Sequence, residues 1–385
     1  MILHIAPDNK FIPFLQDVFE EALPAKNVWR VVTDLEPIFV NISTNMQLVG
    51  TAYFDTENFD DDLKLADCLI LHSLFISNRS KLPILKKVPQ SMPVVWRGWG
   101  FDYYKYLDVK GLNLLLPETR ALTEELKAAQ IHSTRSWPRS LAYRAKKELV
   151  EKFVSKKLVE RIDYFSCCIP EDFEVLKQAL PELKGASFLP LNYYSKEDVF
   201  LRGEGLKDLS GRDILLGNSS TASNNHIEAM RVLSKLDLEN RRVIVPLSYG
   251  DMSYRERIVE LGNELLGAAF MPISSYMPLE EYNNLISSCS NVVMNHVRQQ
   301  AIGNISAALL RGGKVFLRSE NPIYKYYTQM GVRLFEFDEN IDLKVLDEPL
   351  SASDVHTNKE IMSHYWTREC AIEQAKAFVE LERMR

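Results

Sequence analysis

The stretch from Asn291 to Tyr324 constrains the fold of this chain more than any other part of its sequence. It begins with a short apolar run that predicts a strand. A polar turn then leads into an apolar helix, which two glycines end. A second strand, a second polar turn and a second helix follow. This repeat is typical of a parallel sheet covered by helices, in which ligands bind at the carboxyl ends of the strands.

The first polar turn of this stretch has the features of a phosphate site. Gly303 and Asn304 are predicted to open the helix, so that backbone N–H groups are free at its start, and Arg298 lies just before them. Helix N-termini and arginine side chains both bind phosphate oxygens. We therefore expect an anion to bind at this turn.

Length and composition predict a reduced, cytosolic protein of two domains. The chain has 385 residues, which is long for one core, and a net charge of −6, whereas nucleic-acid binders usually carry a basic surplus. Because of this acidic charge we expect no nucleic-acid partner. The five cysteines are scattered and no C-x-x-C occurs, so we expect free thiols. We also expect no signal peptide and no membrane-spanning segment.

Strand–turn–helix units occur in both halves of the chain, on either side of a polar, glycine-bearing segment between Tyr193 and Arg212. We predict an α/β protein with a first domain over residues 1–200 and a second over 201–357. A C-terminal helix over residues 358–385 is expected to pack back on the first domain.

A second anion-type turn follows the first strand of the second domain. Gly217 allows close approach of a ligand to the backbone, and Asn218 and Ser219 supply polar groups just before a helix. A capped loop without a ligand is the alternative, because serine and asparagine commonly cap helices. Two such turns on one sheet favour a nucleotide diphosphate. The sequence lacks G-x-G-x-x-G, P-loop and G-x-S-x-G motifs, which argues against dehydrogenases, P-loop NTPases and α/β-hydrolases.

The segment from residue 135 to 161 is basic in an otherwise acidic chain. Residues 131–161 contain nine Lys and Arg against three Glu. The pattern fits a solvated amphipathic helix that packs on the first domain, or a patch that binds anionic lipid. Both interpretations remain open from the sequence.

An ordered series of motifs resembles one known family. The motifs are WRGWGFDYY, GNSSTASNNHIEAM, VIVPLSYGD, and VRQQAIGNISAALLRGGKVFL with SENPIY. They are similar to those of the TDP-4-acetamido-4,6-dideoxygalactose:lipid II transferases, a family also called 4-alpha-L-fucosyltransferase. The resemblance runs from about His72 to Pro322. It implies a GT-B fold, in which two Rossmann-like domains face each other across a cleft.

The resemblance also implies an activity. It predicts a metal-independent hexosyltransferase that moves a deoxyamino sugar from a TDP-sugar to an undecaprenyl-diphosphate-linked saccharide for surface polysaccharide synthesis. The enzyme would need no cofactor and would lie on the cytoplasmic face of the bacterial inner membrane, bound peripherally through segment 135–161. The alternatives are another nucleotide deoxysugar, used in capsule or O-antigen synthesis, and a two-domain binding protein without catalysis.

The donor is expected at the turns of the second domain. We predict that Arg298, the Gly303–Asn304 helix start and the Gly217–Ser219 turn bind the diphosphate, and that Glu320 binds sugar or ribose hydroxyls. His226 matches the family motif as a helix-start histidine. The full set of predicted donor-binding residues is Gly217, Asn218, Ser219, Asn224, Pro246, Tyr249, Arg298, Gln299, Gln300, Gly303, Asn304, Glu320 and Asn321.

The acceptor is expected in the first domain. The candidate general bases are Asp102, His72 and Asp8, all at predicted strand ends. Asp102 and His72 are the predicted catalytic residues, although Asp102 could instead cap the next helix. Whether the reaction inverts or retains the anomeric centre stays open. The predicted acceptor-binding residues are Asp8, Trp99, Gly100 and Tyr103.

Overall fold

The computed structural model describes residues 1–40, 45–74, 78–104, 107, 113–133, 155–197, 207–238 and 240–382. The chain divides into two compact units. The first comprises Met1–Leu112, Ser136–Val199 and Trp366–Arg385, and the second comprises Asn113–Arg135 and Phe200–Tyr365.

The first unit is built on a parallel sheet of seven strands in the order β3-β2-β1-β4-β5-β6-β7. In chain order the strands are β1 Ile2–Pro7, β2 Asn27–Val32, β3 Met46–Val49, β4 Cys68–His72, β5 Val94–Arg97, β6 Tyr164–Cys167 and β7 Ser187–Pro190. Before residue 190, the described α-helices of this unit are α1 Ile12–Ala22, α2 Glu57–Leu65, α3 Asn78–Lys87 and, beyond a helix of the second unit, α5 Pro170–Ala179.

Helix α1 covers one face of this sheet because its apolar residues recur at helical spacing. Ile12, Leu15 and Phe19 are fully buried there, and such a stripe is what an amphipathic helix turns towards a core. The C-terminal segment completes this face: Ala371 belongs to the same core, and the ring of Phe378 lies 5.3 Å from that of Phe19.

The second unit has a parallel sheet of six strands in the order β10-β9-β8-β11-β12-β13. The strands are β8 Ile214–Leu216, β9 Val243–Pro246, β10 Phe270–Ile273, β11 Asn291–Met294, β12 Lys314–Leu317 and β13 Phe335–Glu336. Its helices are α4 Pro117–Ser133, α6 His226–Leu233, α7 Met252–Leu266, α8 Leu279–Ile286, α9 Ile302–Leu310, α10 Pro322–Gln329, α11 Leu343–Asp347 and α12 Ala352–Tyr365.

Helix α4 belongs to the second unit although it lies early in the chain. Leu122 is buried in that unit's core, and Thr119 donates to Glu228 of α6 from both its backbone N–H and its hydroxyl. The residues of α4 lie within the predicted domain 1–200 but belong to the second unit. An amphipathic pattern predicts a helix but does not identify the sheet that the helix covers.

The C-terminal region is two helices rather than one. Helix α12 ends at Tyr365, and α13, Arg368–Lys376, begins after Thr367, whose side chain caps it. Trp366 lies between them and stacks on Tyr194 of the first unit, at 4.5 Å between ring centroids. The chain therefore passes to the first unit at Trp366, eight residues after the predicted start of the terminal helix.

Strands β2 and β3 were not predicted from the sequence, whereas the other strands follow the short apolar runs. All five cysteines are free, as expected, and four of them are buried. Across the described residues, no helix has the length and apolar character required to span a membrane.

Candidate functional site

Four polar turns lie at the carboxyl edge of the second sheet. They follow β8, β9, β11 and β12, which are neighbouring parallel strands, so all four strand ends point the same way. Each turn leads to a helix. Most of the predicted donor residues lie in these turns, and Pro246 is the buried last residue of β9.

Asn224 ties the turn after β8 to the turn after β11. Its carboxamide oxygen accepts from the backbone N–H of Asn218, at 2.9 Å, and from Nε2 of His296, at 2.9 Å. Its Nδ2 donates to the carbonyl oxygens of Ser219 and Thr221, each at 3.0 Å. Asn224 is fully buried, so its side chain positions the turn.

A partly exposed network of side chains connects the same turns. Nε2 of Gln300 donates to the carboxamide oxygen of Asn218 at 3.0 Å, and Oε1 of Gln300 accepts from the Ser223 hydroxyl at 2.6 Å. Nη2 of Arg298 lies 3.4 Å from the same hydroxyl. Asn218 donates to the hydroxyl of Tyr249 at 3.0 Å. The structure thus brings five predicted or adjacent polar side chains together.

Gly217 is required by its conformation and by its neighbours. Its φ is +70°, and a Cβ at this position would lie 2.7 Å from Nε2 of His226 and 2.8 Å from Oδ1 of Asn224. Gly250 has a similar role in the turn after β9, where a Cβ would lie 2.7 Å from the carbonyl oxygen of Ser220. The turns after β8 and β9 are thus packed backbone to backbone, and only glycine leaves room for this contact.

Two buried imidazoles lie beneath these turns. Burial lowers the pKa of His226 to about 3 and holds the pKa of His296 well below its usual range. Because Asn224 Oδ1 is an acceptor, Nε2 of His296 must carry the proton, which leaves Nδ1 with a lone pair. Nδ1 of His296 and Nε2 of His226 have no partner among the described residues.

Helix α9 begins one residue before the predicted position. Ile302 is its first residue, and Ala301, with φ +56°, precedes it without a capping side chain among the described residues. Gly303 and Asn304 therefore lie in the first turn of α9, where backbone N–H groups have no partner within the helix. The side chain of Asn304 interacts with the half-buried Tyr282.

The turn after β12 is fixed by Asn321. Its Oδ1 accepts from Ile323 and caps α10, and its Nδ2 donates to the carbonyl oxygens of His296 and Arg298, both at 2.9 Å. Asn321 therefore positions the loop that carries Arg298. Glu320 is exposed and accepts from Nε of Arg318 at 2.5 Å. Arg318 was not among the residues predicted from the sequence. Gln299, which was predicted to bind the donor, is buried.

In the first unit, Asp102 is fully buried and hydrogen-bonded on both oxygens. Oδ2 accepts from the indole of Trp96 at 2.9 Å, and Oδ1 accepts from the backbone N–H of Trp99 at 2.8 Å. Burial raises its pKa, and the hydrogen bond from Trp96 opposes that shift. The carboxylate holds the glycine-containing turn after β5, and its predicted role as a base stays a prediction.

His72, the other candidate base, belongs to a buried chain of hydrogen bonds. Nδ2 of Asn27 donates to two carbonyl oxygens, so its Oδ1 accepts from Nε2 of His4 at 3.2 Å. Nδ1 of His4 then accepts from Nε2 of His72 at 3.0 Å, and Nδ1 of His72 keeps a lone pair without a described partner. Burial, with His4 and Arg97 nearby, lowers the pKa of His72 well below its usual range.

The predicted acceptor residues are placed in different surroundings. Trp99 is partly exposed, and its ring lies 6.4 Å from that of His72. Tyr103 is buried and donates to Asp172, away from solvent. Asp8 accepts from the backbone N–H groups of residues 38–40 and so holds that loop. Gly100, with φ +88°, forms the turn before Tyr103.

Most of the basic segment 135–161 lies outside the described residues, which resume at residue 155. The three described basic residues of the segment are paired: Lys156 with Glu182, Lys157 with Glu160, and Arg161 with Asp163.

The predicted family resemblance is confirmed over the second half of the chain. Residues 196–360 match the model of a family described as 4-alpha-L-fucosyltransferase, glycosyl transferase group 56. This range contains all four polar turns. The match also confirms the prediction of a glycosyltransferase.

Three solved structures illustrate the likeness of the whole chain. Sucrose-phosphate synthase from Thermosynechococcus elongatus superimposes with a TM-score of 0.60 at 12% identity, over 100% of this chain and 99% of that chain. HepE from Anabaena, in complex with UDP and glucose, gives 0.59 at 10% identity, over 99% of each chain. A glycosyltransferase from Rickettsia africae gives a TM-score of 0.58 at 9% identity, over 99% of this chain and 98% of that chain. At such identities the likeness concerns the fold, and it confirms GT-B.

Proposed function

We propose that this glycosyltransferase of the GT-B fold transfers a deoxyamino sugar of the 4-acetamido-4,6-dideoxygalactose type from a TDP-sugar to an undecaprenyl-diphosphate-linked saccharide. The main support for the donor assignment is a network of hydrogen bonds at the start of α9, which has no capping side chain among the described residues. The network consists of Asn218, Ser223, Arg298 and Gln300. A diphosphate there would meet free backbone N–H groups, a guanidinium and a glycine turn. These are the groups that bind phosphate oxygens.

The same groups would do the chemical work on the donor. As the bond from the anomeric carbon to the diphosphate breaks, negative charge grows on the leaving oxygens. Arg298 and the dipole of α9 would stabilise that charge. This assignment supports transfer without a bound metal. Glu320, oriented by Arg318, is suited to accept hydrogen bonds from sugar or ribose hydroxyls.

The choice of a TDP-sugar rests on the resemblance of the sequence motifs to the TDP-sugar transferases. HepE, which is similar in fold alone, was solved with UDP, so the nucleotide has to be tested directly. Thermal denaturation of the full-length protein with dTDP, UDP and GDP tests the donor half. We expect the largest rise in melting temperature with dTDP. The absence of a rise in melting temperature with all three nucleotides would contradict the donor assignment.

Turnover separates the enzyme from a binding protein. We expect transfer from a TDP-deoxyamino sugar to a short-chain lipid-linked acceptor, and we expect this transfer to persist in excess chelator. Tight dTDP binding without donor hydrolysis or transfer would favour the binding protein, and preference for a different nucleotide deoxysugar would favour a capsule or O-antigen enzyme.

We also propose peripheral binding at the cytoplasmic face of the bacterial inner membrane through segment 135–161. The basic surplus of the segment supports this proposal, because lysine and arginine near a surface are attracted to anionic lipid. Charge reversal at Arg144, Lys146 and Lys147 should release the protein from vesicles that contain phosphatidylglycerol. Binding of the variant equal to that of the wild type would refute the assignment.

A further inference from the structure

A buried arginine without a counter-ion lies at the carboxyl edge of the first sheet. Arg97 is the last residue of β5 and is 0% exposed. Its guanidinium donates to the carbonyl oxygens of Gly98, Ser166 and Leu191. No carboxylate of the described residues forms an ion pair with it. Because a buried charge is strongly disfavoured unless an opposite charge neutralises it, this arrangement calls for an anion.

Unused hydrogen-bond donors surround the same guanidinium. Nε of Arg97, Nε1 of Trp99 and the hydroxyl of Ser166 are buried, and none has a partner among the described residues. Ser166 faces Arg97 in the strand register, and the Trp99 ring lies 4.8 Å from the guanidinium carbon. Buried polar groups in proteins are nearly always paired, so unpaired donors on three neighbouring residues indicate an acceptor that the described residues do not supply.

His72 supplies an unpaired hydrogen-bond acceptor on the other side of Arg97. It faces Arg97 in the register of β4 and β5, and the chain from Asn27 through His4 leaves a lone pair on its Nδ1. The unpaired acceptor of His72 and the unpaired donors of Arg97, Ser166 and Trp99 thus belong to neighbouring residues. An oxyanion with a neighbouring hydroxyl matches this pattern, since the oxyanion satisfies the donors and the hydroxyl donates to His72.

We infer that His72, Arg97, Ser166 and Trp99, called here the polar row, bind an oxyanion of the acceptor, which is a carboxylate or a phosphate. This inference rests on the proposed function, because it takes the first unit as the acceptor-binding unit. The rings of Trp99 and Tyr193 lie over the guanidinium and are partly exposed. Entry of the ligand therefore requires the Trp99 ring to move.

Calorimetric titration of the full-length protein tests the inference. The probes are glucuronate, its methyl ester, glucose and geranyl diphosphate, at matched ionic strength and with the nucleotide site saturated by dTDP. We expect glucuronate or geranyl diphosphate to bind, and glucose and the ester not to bind. Binding of glucuronate assigns the oxyanion to the saccharide, whereas binding of geranyl diphosphate alone assigns it to the phosphates of the lipid carrier.

Two conservative variants locate the binding. Ser166→Ala removes the hydroxyl, and Trp99→Phe removes the indole N–H while it keeps an aromatic ring. Each should weaken binding of the anionic probe about tenfold, the effect of one hydrogen bond to a charged group. Ser306→Ala, which changes a buried serine of the second unit, should leave it unchanged.

The outcomes are distinct from those of the proposed function. The polar row is refuted if neither anionic probe binds, or if both variants bind the probe as tightly as the wild type. Failure of dTDP to bind, with glucuronate binding that Ser166→Ala weakens, would instead refute the donor assignment and leave the oxyanion site in place.

Discussion

His296 donates from Nε2 to the carboxamide oxygen of Asn224, at 2.9 Å, and this bond joins the ends of β8 and β11 inside the second unit. The residues are 72 positions apart in the sequence. The bond sets the tautomer of His296, and the same carboxamide oxygen holds the backbone of Asn218. Asn224 thus determines the shape of the turn to which we assign the donor diphosphate.

Substitution Asn224→Asp should therefore disrupt the turn although it preserves the size of the side chain. A carboxylate cannot donate to the carbonyl oxygens of Ser219 and Thr221, and it places a charge in a buried site. We expect a loss of about 2–4 kcal/mol in the free energy of unfolding and a weaker affinity for dTDP. Urea denaturation and calorimetry measure the two effects. Wild-type stability together with wild-type affinity would contradict the positioning role.

Substitution Gly217→Ala should lower nucleotide affinity through backbone strain. The new Cβ would lie 2.7 Å from Nε2 of His226, and φ at this position is +70°. We therefore expect the strain to raise the free energy of the native turn by about 1–3 kcal/mol. Gly185→Ala is the matched control, because a Cβ there meets nothing within 4 Å. The dTDP affinity of both variants should be compared; a Gly217→Ala protein that binds like the control would rule out close approach at this turn.

Removal of the Arg298 side chain tests the cation of the donor site. Arg298→Ala should weaken dTDP binding about tenfold to a hundredfold, because hydrogen bonds to charged groups are among the stronger ones. Arg257→Ala, which changes a half-exposed arginine paired with Glu260 on α7, should bind normally. Calorimetry with dTDP and with thymidine separates the effects: thymidine affinity should change little. Equal losses for both ligands would indicate a general disturbance of the unit.

The polar turns of the candidate site could be predicted because each follows a short apolar run. The ends of β8, β9, β11 and β12 could each be read from such runs, and parallel strands bring their carboxyl ends to one edge. The runs do not reveal which side chains pair across the edge. For Asn321, a predicted donor-binding residue, the structure adds that its carboxamide caps α10 and holds the loop of Arg298.

The unpredicted parts of the fold have a common physical cause. Burial depends on tertiary contacts, which cannot be read from the sequence of one segment. Strand β2 alternates buried and partly buried residues, and it was missed beside stronger apolar runs. Arg97 ends an apolar strand and resembles a surface residue in sequence, but it is buried, and its guanidinium donates to the carbonyl oxygens of Ser166 in β6 and of Leu191 just after β7.

Acid should destabilise the fold through four buried histidines. Burial lowers the pKa of His4 and His226 to about 3 and that of His72 and His296 well below the usual range. In the unfolded chain each pKa is about 6.5, so the unfolded state binds more protons below that pH. Stability is therefore retained above about pH 6.5 and is lost as the pH falls, by up to about 1.4 kcal/mol per unit for each histidine.

Urea denaturation at pH 7.5, 6.5 and 5.5 measures this loss. We expect the transition midpoint to fall steadily below pH 6.5. His226→Gln should give a shallower dependence on pH than the wild type, because the variant has one histidine fewer to protonate on unfolding. Parallel curves for the two proteins would mean that His226 does not contribute.

Helix α4 should stabilise the second unit specifically. Leu122 is buried in the core of that unit, so Leu122→Ala should cost about 2–5 kcal/mol. Because the chain has two units, hydrogen exchange localises the effect better than a single unfolding curve. We expect faster exchange at the amides of α6 and unchanged exchange in β1 of the first unit. Glu125→Ala, at an exposed position of the same helix, is the control and should alter neither. Faster exchange in both units after Leu122→Ala would show that α4 supports more than the sheet on which it packs.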